Sequence, residues 1–333
     1  MNTAERQQEM PLTAPEYISN LQSLSTWVER MGESENQAIS NLYKVRPVTH
    51  LSPQARVAPS ALSKFLDNAF RDFVGMSTIK QALFQQGSFL EVQNLRAAQG
   101  LKTLNNISRH LVFTGAPGTG KTTVARVVAK LYKQMGLLPT DRVIEADRTS
   151  FVASYLGQTA LKSRDLINSA MGGVLFIDEV YTLSQKDDMY GQEAIDTLLK
   201  MMEDHRHELV VIVAGYRKET DQFLLSNPGL ASRFNRTIDF PNYSALDLMC
   251  IFEGLLAQHG YLCKNWYPFQ DELLEYFERV LISEKDTFSN GRFVRNLFER
   301  AAELHAERIM LSSDHSANAL QTLSPEDIRG TDF

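Results

Sequence analysis

The chain has 333 residues, enough for two domains, and its hydrophobic content of 43% and charged content of 22% are those of a soluble globular protein. The formal net charge of −6 argues against a dedicated nucleic-acid surface, and no apolar stretch approaches the length of a membrane span. Residues 1–10 are polar and lack the apolar segment of a signal peptide. Since Cys250 and Cys263 have no nearby residues with which to bind a metal, a reduced, cytoplasmic protein is the simplest expectation.

Residues 1–60 are predicted to form a helical extension followed by a linker. Pro15 can begin a helix whose apolar residues recur in steps of three and four, and these residues are Tyr17, Leu21, Leu24, Val28 and Met31. Three prolines between Val45 and Pro59 are typical of an extended linker. The apolar stripe of the helix is compatible with two roles, recognition of a partner and packing on the rest of the chain.

Residues 61–240 alternate between helical and strand patterns. Strands are predicted at 111–113, 143–146, 174–177, 209–214 and 237–240. Helices are predicted over 77–99, 124–131, 163–171 and 192–204. This alternation predicts an α/β domain with a parallel sheet and helices on both of its faces.

A phosphate-binding loop is predicted between the first strand and the helix after it. The sequence from Gly115 to Thr122 has a glycine, four further residues and then Gly-Lys-Thr, as such loops require. Lys121 is expected to hold the β- and γ-phosphates of ATP, and the Thr122 hydroxyl to bind Mg²⁺. The other residues of the loop expected to bind ATP are Pro117, Gly118, Thr119, Gly120 and Thr123. A simple glycine turn is the alternative interpretation.

A second motif indicates that the bound nucleotide is also hydrolysed. Asp178 and Glu179 directly follow the apolar strand at 174–177, and ligands of parallel sheets bind outside the carboxyl ends of the strands. Asp178 is therefore expected to hold Mg²⁺, and Glu179 to act as the base that polarises the attacking water. Acidic residues also cap helices, so the pair is informative only together with the phosphate-binding loop.

Residues 241–333 are predicted to form a helical domain. Ser244 and Asp247 make a capping box that begins a helix to about residue 258. Further helices are predicted over 270–283 and 290–311, and Ser324 with Pro325 marks the start of a last short helix.

From Asp72 to its C-terminus the chain resembles AAA+ ATPases, specifically the CbxX/CfqX group, which includes red-type Rubisco activase and stage V sporulation protein K. The stretches that carry the resemblance are 72–75, 113–123, 155–160, 173–179, 191–196, 211–216, 227–234 and 290–297. The resemblance implies a P-loop NTPase fold, in which the α/β domain is followed by a small all-helical lid domain. It also implies a homo-oligomeric ring, with six copies as the expected number.

The resemblance assigns roles that chemistry alone leaves open. Val74 and Gly75 lie where the family contacts adenine. Arg233 matches the arginine finger, which acts on the nucleotide of the neighbouring subunit. Arg292 matches the lid arginine called sensor 2, with Arg295 as the reserve candidate. For each arginine, the alternative is a surface salt-bridge partner of small energetic value.

Two further stretches bear on what the ATPase does. Tyr155, Leu156 and Gly157 match a loop that faces the pore of the ring, where an aromatic side chain can grip any polypeptide by packing. A tyrosine buried under a loop is the alternative. After the fourth predicted strand this chain has Ala-Gly-Tyr at 214–216, where most AAA+ proteins place Asn or Thr to orient the water. The CbxX/CfqX group shares this departure, which supports the resemblance to that group. The residue that orients the water is then unassigned, and Tyr216 is only a weak candidate for that role.

The leading hypothesis is therefore an ATP-driven protein remodeller that acts on an unidentified client protein, with ATP and Mg²⁺ as its ligands. Two other classes stay open at this point. A nucleic-acid motor would bind DNA or RNA with steep salt dependence. A nucleotide-switched scaffold would turn over ATP very slowly, whatever substrate is offered.

Overall fold

The computed structural model describes residues 60–104, 108–153, 155, 157–185, 188–284 and 288–331. The helix predicted after Pro15, the linker after it and Leu156 of the predicted pore loop lie outside these residues. None of the helices in the described ranges is both long and apolar enough to cross a membrane.

Five parallel strands form the main sheet, in the order β2-β3-β4-β1-β5. They are β1 (Leu111–Gly115), β2 (Val143–Ala146), β3 (Val174–Ile177), β4 (Val210–Gly215) and β5 (Thr237–Phe240). Ile177 of β3 pairs with Val213 of β4, and Thr114 of β1 pairs with Gly215 of β4. The carboxyl ends of β3, β4 and β1 therefore lie side by side, which is the edge where open α/β sheets bind their ligands.

Helices cover both faces of this sheet, as the alternating pattern predicts. Along β1, Leu111 and Phe113 belong to one hydrophobic cluster, whereas Val112 belongs to the cluster on the opposite face. The helices of this part are α1 (Ala61–Ala69), α2 (Ser77–Ala98), α3 (Lys121–Gln134), α4 (Arg148–Phe151), α5 (Thr159–Ser169), α6 (Met189–Asp204), α7 (Arg217–Leu225) and α8 (Pro228–Arg233). A 3-10 helix spans Val180–Ser184.

Several helix bounds differ from the sequence expectation. Helix α5 begins at Thr159 rather than at residue 163, and α6 begins at Met189 rather than at residue 192. Helices α7 and α8 are absent from the prediction, because α7 is mostly polar and α8 has six residues beginning with Pro228.

The C-terminal part has a hydrophobic cluster of its own, built around side chains such as Phe252, Leu273 and Phe277. Its helices are α9 (Ala245–His259), α10 (Trp266–Glu284), α11 (Gly291–Leu311), α12 (Ala317–Gln321) and α13 (Pro325–Arg329). The predicted capping box of α9 is formed, and α13 begins at the predicted start signal with a second capping box, made by Ser324 and Asp327. A short parallel pair, β6 (Leu262–Cys263) with β7 (Thr322–Leu323), joins these helices. The domain boundaries near residues 60 and 240 stay predictions.

Candidate nucleotide-binding site

A cleft of about 1080 Å³ opens at the carboxyl edge of the sheet and is lined on its other side by α9 and the start of α11. It brings together ten of the residues expected to bind or cleave ATP. These are Val74, Pro117, Gly118, Gly120, Lys121, Thr122, Thr123, Asp178, Glu179 and Arg292. The volume is in the range of known small-molecule sites or slightly above it.

The loop between β1 and α3 packs directly against the start of α11. Gly118 has a φ of +70°, and a Cβ atom added there would lie 2.0 Å from the Ser289 carbonyl oxygen. The Gly118 carbonyl oxygen accepts a hydrogen bond from the Gly291 N–H at 3.1 Å. Only glycine fits this position, since any side chain would collide with backbone and strain the left-handed conformation.

Lys121 begins α3 and points its ammonium group back over the loop. Its Nζ donates to the carbonyl oxygens of Gly115 at 2.8 Å and Ala116 at 2.7 Å. Burial lowers the pKa of Lys121, while the charge of Asp178 opposes this change. The ammonium group is thus part of the same charged cluster as the acidic pair, as a phosphate-binding lysine requires.

The acidic pair lies at the end of β3, and both residues line the cleft with exposed side chains. Asp178 Oδ1 accepts a hydrogen bond from the Glu179 N–H at 3.0 Å. Glu179 has φ 47° and ψ 44°, a left-handed conformation that is uncommon outside glycine. Strained backbone of this kind is often concentrated at functional positions.

The oxygen atoms at this point of the cleft suit Mg²⁺. Thr122 supplies a hydroxyl group and Asp178 a carboxylate, and both line the cleft. Among the described residues no group of three or more His, Cys, Asp or Glu side chains could hold a metal by itself. The pair of Thr122 and Asp178 therefore suits Mg²⁺, which is usually bound by one or two protein oxygens and completes its coordination shell with phosphate and water.

Asn290 connects the loop to α11 and was not singled out by sequence reasoning. It is fully buried, with φ 51°, and its Oδ1 accepts a hydrogen bond from the Tyr243 N–H at 2.9 Å. Its Nδ2 donates to the Pro117 carbonyl oxygen at 3.3 Å. This side chain therefore fixes the start of α11 close to the loop, which leaves both Arg292 and Arg295 lining the cleft.

Two of the residues predicted to bind ATP within their own chain do not line the cleft. Thr119 is 2% exposed, and its Oγ1 donates to the Ala116 carbonyl oxygen at 2.8 Å, so its side chain braces the loop from within. Gly75 has a φ of +67° and lies against the Asp247 carboxylate, whereas the neighbouring Val74 reaches the cleft.

Tyrosines form a further part of the lining. Tyr216 lines the cleft at the end of β4, with its ring centroid 6.4 Å from that of Tyr181. Burial, followed by the negative charge of Glu179, raises the pKa of Tyr181 to about 12. Sequence reasoning missed Tyr181 and Tyr243, because neither belongs to a local motif.

Arg233, the expected arginine finger, does not line this cleft. It ends α8, where its Nη2 bonds to Glu203 Oε2 at 2.8 Å and its side chain is 26% exposed.

Tyr155 of the predicted pore loop is 70% exposed, which rules out the alternative of a tyrosine buried under a loop. Gly157 follows with a φ of +79°, and a Cβ atom added there would meet no atom of the described residues within 4 Å. The base of the loop is fixed, because Thr159 Oγ1 accepts from the Ala153 N–H at 3.2 Å and Lys162 Nζ donates to the Val152 carbonyl oxygen at 2.9 Å. The exposed ring of Tyr155 therefore lies in a loop whose two ends are held by hydrogen bonds.

Comparisons with known proteins agree with this geometry. The sequence profile described as "ATPase family associated with various cellular activities (AAA)" matches residues 111–242. The profile of the AAA lid domain matches residues 244–332.

Three curated relatives show how far the similarity extends. The chain is 40% identical over 279 residues to stage V sporulation protein K of Bacillus subtilis, which covers 83% of this chain and 85% of that protein. It is 38% identical over 280 residues to the chloroplastic ribulose bisphosphate carboxylase/oxygenase activase of Cyanidioschyzon merolae, covering 83% and 94%. It is 37% identical over 281 residues to the chromosomal protein CbxX of Cupriavidus necator, covering 82% and 86%.

These matches confirm the resemblance noted in the sequence, and the parallel sheet followed by a helical lid confirms the expected fold. The predicted ATPase class is confirmed with them. The chain belongs to the AAA ATPase family, in the group that contains the CbxX proteins, and it is an ATPase.

Proposed function

We propose that this ATPase is a protein-remodelling motor that cleaves ATP at the interfaces of a ring of six identical copies. The observation that carries the proposal is the separation of two parts of one site. The cleft holds Lys121, Asp178 and Glu179, whereas Arg233 lies outside the cleft of its own chain. A site divided in this way is complete only where two copies meet, and head-to-tail contacts of this kind close into a ring when the rotation per copy suits a whole number of copies.

Within the proposed site each residue has a distinct task. Lys121 neutralises the β- and γ-phosphates, and Glu179 orients and polarises the attacking water. Mg²⁺, held by Thr122 and Asp178, would neutralise charge on the phosphate oxygens. Arg233 of the adjoining copy stabilises the charge that develops on the transferring phosphoryl group.

The lid is proposed to convert the nucleotide state into movement. Arg292 lines the cleft from the first turn of α11, and Asn290 bonds that turn to the phosphate-binding loop. A change at the γ-phosphate therefore acts on a rigid helix that runs to Leu311. Residues 61–240 would form the motor domain, residues 241–333 its lid, and residues 1–60 an extension.

The substrate of the motor is proposed to be a protein. Tyr155 offers an exposed ring that packs on apolar and backbone atoms without reading a sequence. One of the relatives named above is an activase of a carboxylase, which supports a client protein rather than a nucleic acid. In the ring, Tyr155 and its neighbours Leu156 and Gly157 would face the pore.

Substituting Glu179→Gln tests the chemical part of the proposal. The amide keeps the size of the side chain but removes the base, so ATP turnover should fall by roughly a hundred-fold or more. Binding of ATP, measured with a fluorescent analogue, and assembly, measured by sedimentation, should persist. Unchanged hydrolysis in this variant would exclude Glu179 as the base.

A further inference from the structure

The guanidinium group of Arg233 is bound by its own chain. Its Nη2 bonds to Glu203 Oε2 at 2.8 Å, and its Nη1 donates to the Gly229 carbonyl oxygen at 3.3 Å. Glu203 lies one residue before the end of α6, on the neighbouring helix. The group is therefore held between two helices of one copy.

The backbone that carries Arg233 is anchored independently of this ion pair. Ser108 Oγ donates to the Arg233 carbonyl oxygen, and the next residue, Phe234, is 4% exposed in the core. Helix α8 also packs closely on α6, since a Cβ atom added at Gly229 would lie 3.1 Å from Leu199 Cδ1. Leu199 and Glu203 are four residues apart and so share one face of α6. Loss of the ion pair would thus free the tip of Arg233 without displacing its helix.

The observed position leaves the guanidinium group incompletely bonded. Its Nε atom is buried, yet it has no hydrogen-bond partner among the described residues. A buried donor without a partner is unfavourable, so this position is a poor final state for Arg233. Moving the group outward would expose Nε to water or to a phosphate oxygen.

Glu203 has a second partner that makes release easy. Its Oε1 bonds to Arg206 Nη1 at 2.9 Å, so the carboxylate stays paired when Arg233 leaves. Carboxylate and phosphate both bind the edge of a guanidinium group, where its N–H donors lie. The two anions therefore compete for Arg233.

We infer that Glu203 is a positioning residue that holds Arg233 in a retracted position and competes for it with the γ-phosphate bound by the adjoining copy. This inference rests on the proposed function, in which Arg233 acts across the interface. Each transfer of Arg233 to a phosphate breaks the pair with Glu203, and Glu203 then remains bound to Arg206.

The test is the substitution Glu203→Gln, followed by steady-state ATP hydrolysis over a range of ATP concentrations. The amide removes the competing charge, so kcat should rise by roughly two- to five-fold, the range expected for an exposed ion pair. KM for ATP should stay unchanged, because Arg233 of the adjoining copy is proposed to stabilise the charge that develops during phosphoryl transfer rather than the binding of ATP. A merely structural role would instead lower kcat along with the melting temperature.

Matched variants separate the possible outcomes. Glu303→Gln removes a carboxylate of similar exposure that is paired with Arg300, and it should leave kcat and KM unchanged. Glu203→Ala removes the whole carboxylate side chain and should repeat the rise in kcat, even if the amide of Glu203→Gln retains a hydrogen bond to Arg233. A kcat that stays constant or falls in both Glu203 variants would overturn the inference.

The variant Arg233→Ala tests separately the role of Glu203 and the proposed action of Arg233 across the interface. Loss of turnover in Arg233→Ala, with no further change when Glu203→Gln is added, is the expected result. Full turnover in Arg233→Ala would contradict the action of Arg233 across the interface itself. Loss of turnover in Arg233→Ala without a rise in Glu203→Gln would contradict only the role of Glu203.

Discussion

At the scale of single residues, the position of Glu179 could be predicted from the sequence, but its backbone conformation could not. Its place after an apolar strand and beside Asp178 is a local pattern, so its presence at the carboxyl edge of the sheet could be predicted. Its left-handed backbone, with φ 47° directly before the 3-10 helix from Val180, could not be predicted, because a residue other than glycine gives no local signal for this conformation.

His110 gives a prediction at the same scale. It is buried before β1, and its Nδ1 accepts a hydrogen bond from the Val211 N–H at 2.9 Å. Burial, followed by the charges of Arg233 and Arg109, lowers its pKa from 6.5 to about 4. As the pH falls, His110 is therefore protonated near pH 6.5 in the unfolded chain but only near pH 4 in the folded chain.

The free energy of unfolding should accordingly be at its full value above pH 6.5 and decline toward pH 4. This residue alone should account for about 2 kcal/mol of loss between about pH 7 and pH 5. Urea unfolding of His110→Gln should show a smaller difference between those pH values. The same substitution at the exposed His315 is the control, and equal losses in all three proteins would refute the assignment.

At the scale of elements, the strands and the helix after the phosphate-binding loop were predictable, because their patterns are local. Strands β2 and β5 have the predicted bounds, and β1 extends two residues beyond its predicted end, to Gly115. The contact between the loop and the lid was not predictable, since Asn290 and Pro117 are 173 residues apart in the chain. The residue order holds no signal for such a pairing.

The segment around Tyr155 also gives a prediction at the element scale. Tyr155→Ala should abolish the stimulation of ATP turnover by an unfolded model polypeptide such as casein, because the gripping ring is removed. Tyr155→Phe should retain the stimulation, since the proposed contact depends on the ring and not on the hydroxyl group. Tyr267→Ala, a change at an exposed tyrosine of α10, is the control. Equal stimulation in Tyr155→Ala and the wild-type protein would exclude this loop as the grip.

At the scale of the whole molecule, the central feature is that the residues proposed to act in catalysis lie in two separate places of one chain. The cleft contains Lys121, Glu179 and Arg292, whereas Arg233 is held at the junction of α6 and α8. The sequence names Lys121 and Glu179 through local motifs, and Arg233 and Arg292 only through the family resemblance. Only the structure reveals that Arg233 is absent from the lining of the cleft in its own chain.

The most direct test of this account mixes two variants that should each be inactive alone. Glu179→Gln lacks the base but keeps Arg233, whereas Arg233→Ala lacks the cation but keeps Glu179. Random mixing in equal amounts should complete roughly a quarter of the interfaces of a ring and restore about that fraction of wild-type turnover. An inactive mixture, measured after subunit exchange has been verified, would contradict a site shared between copies, as would full activity of Arg233→Ala by itself.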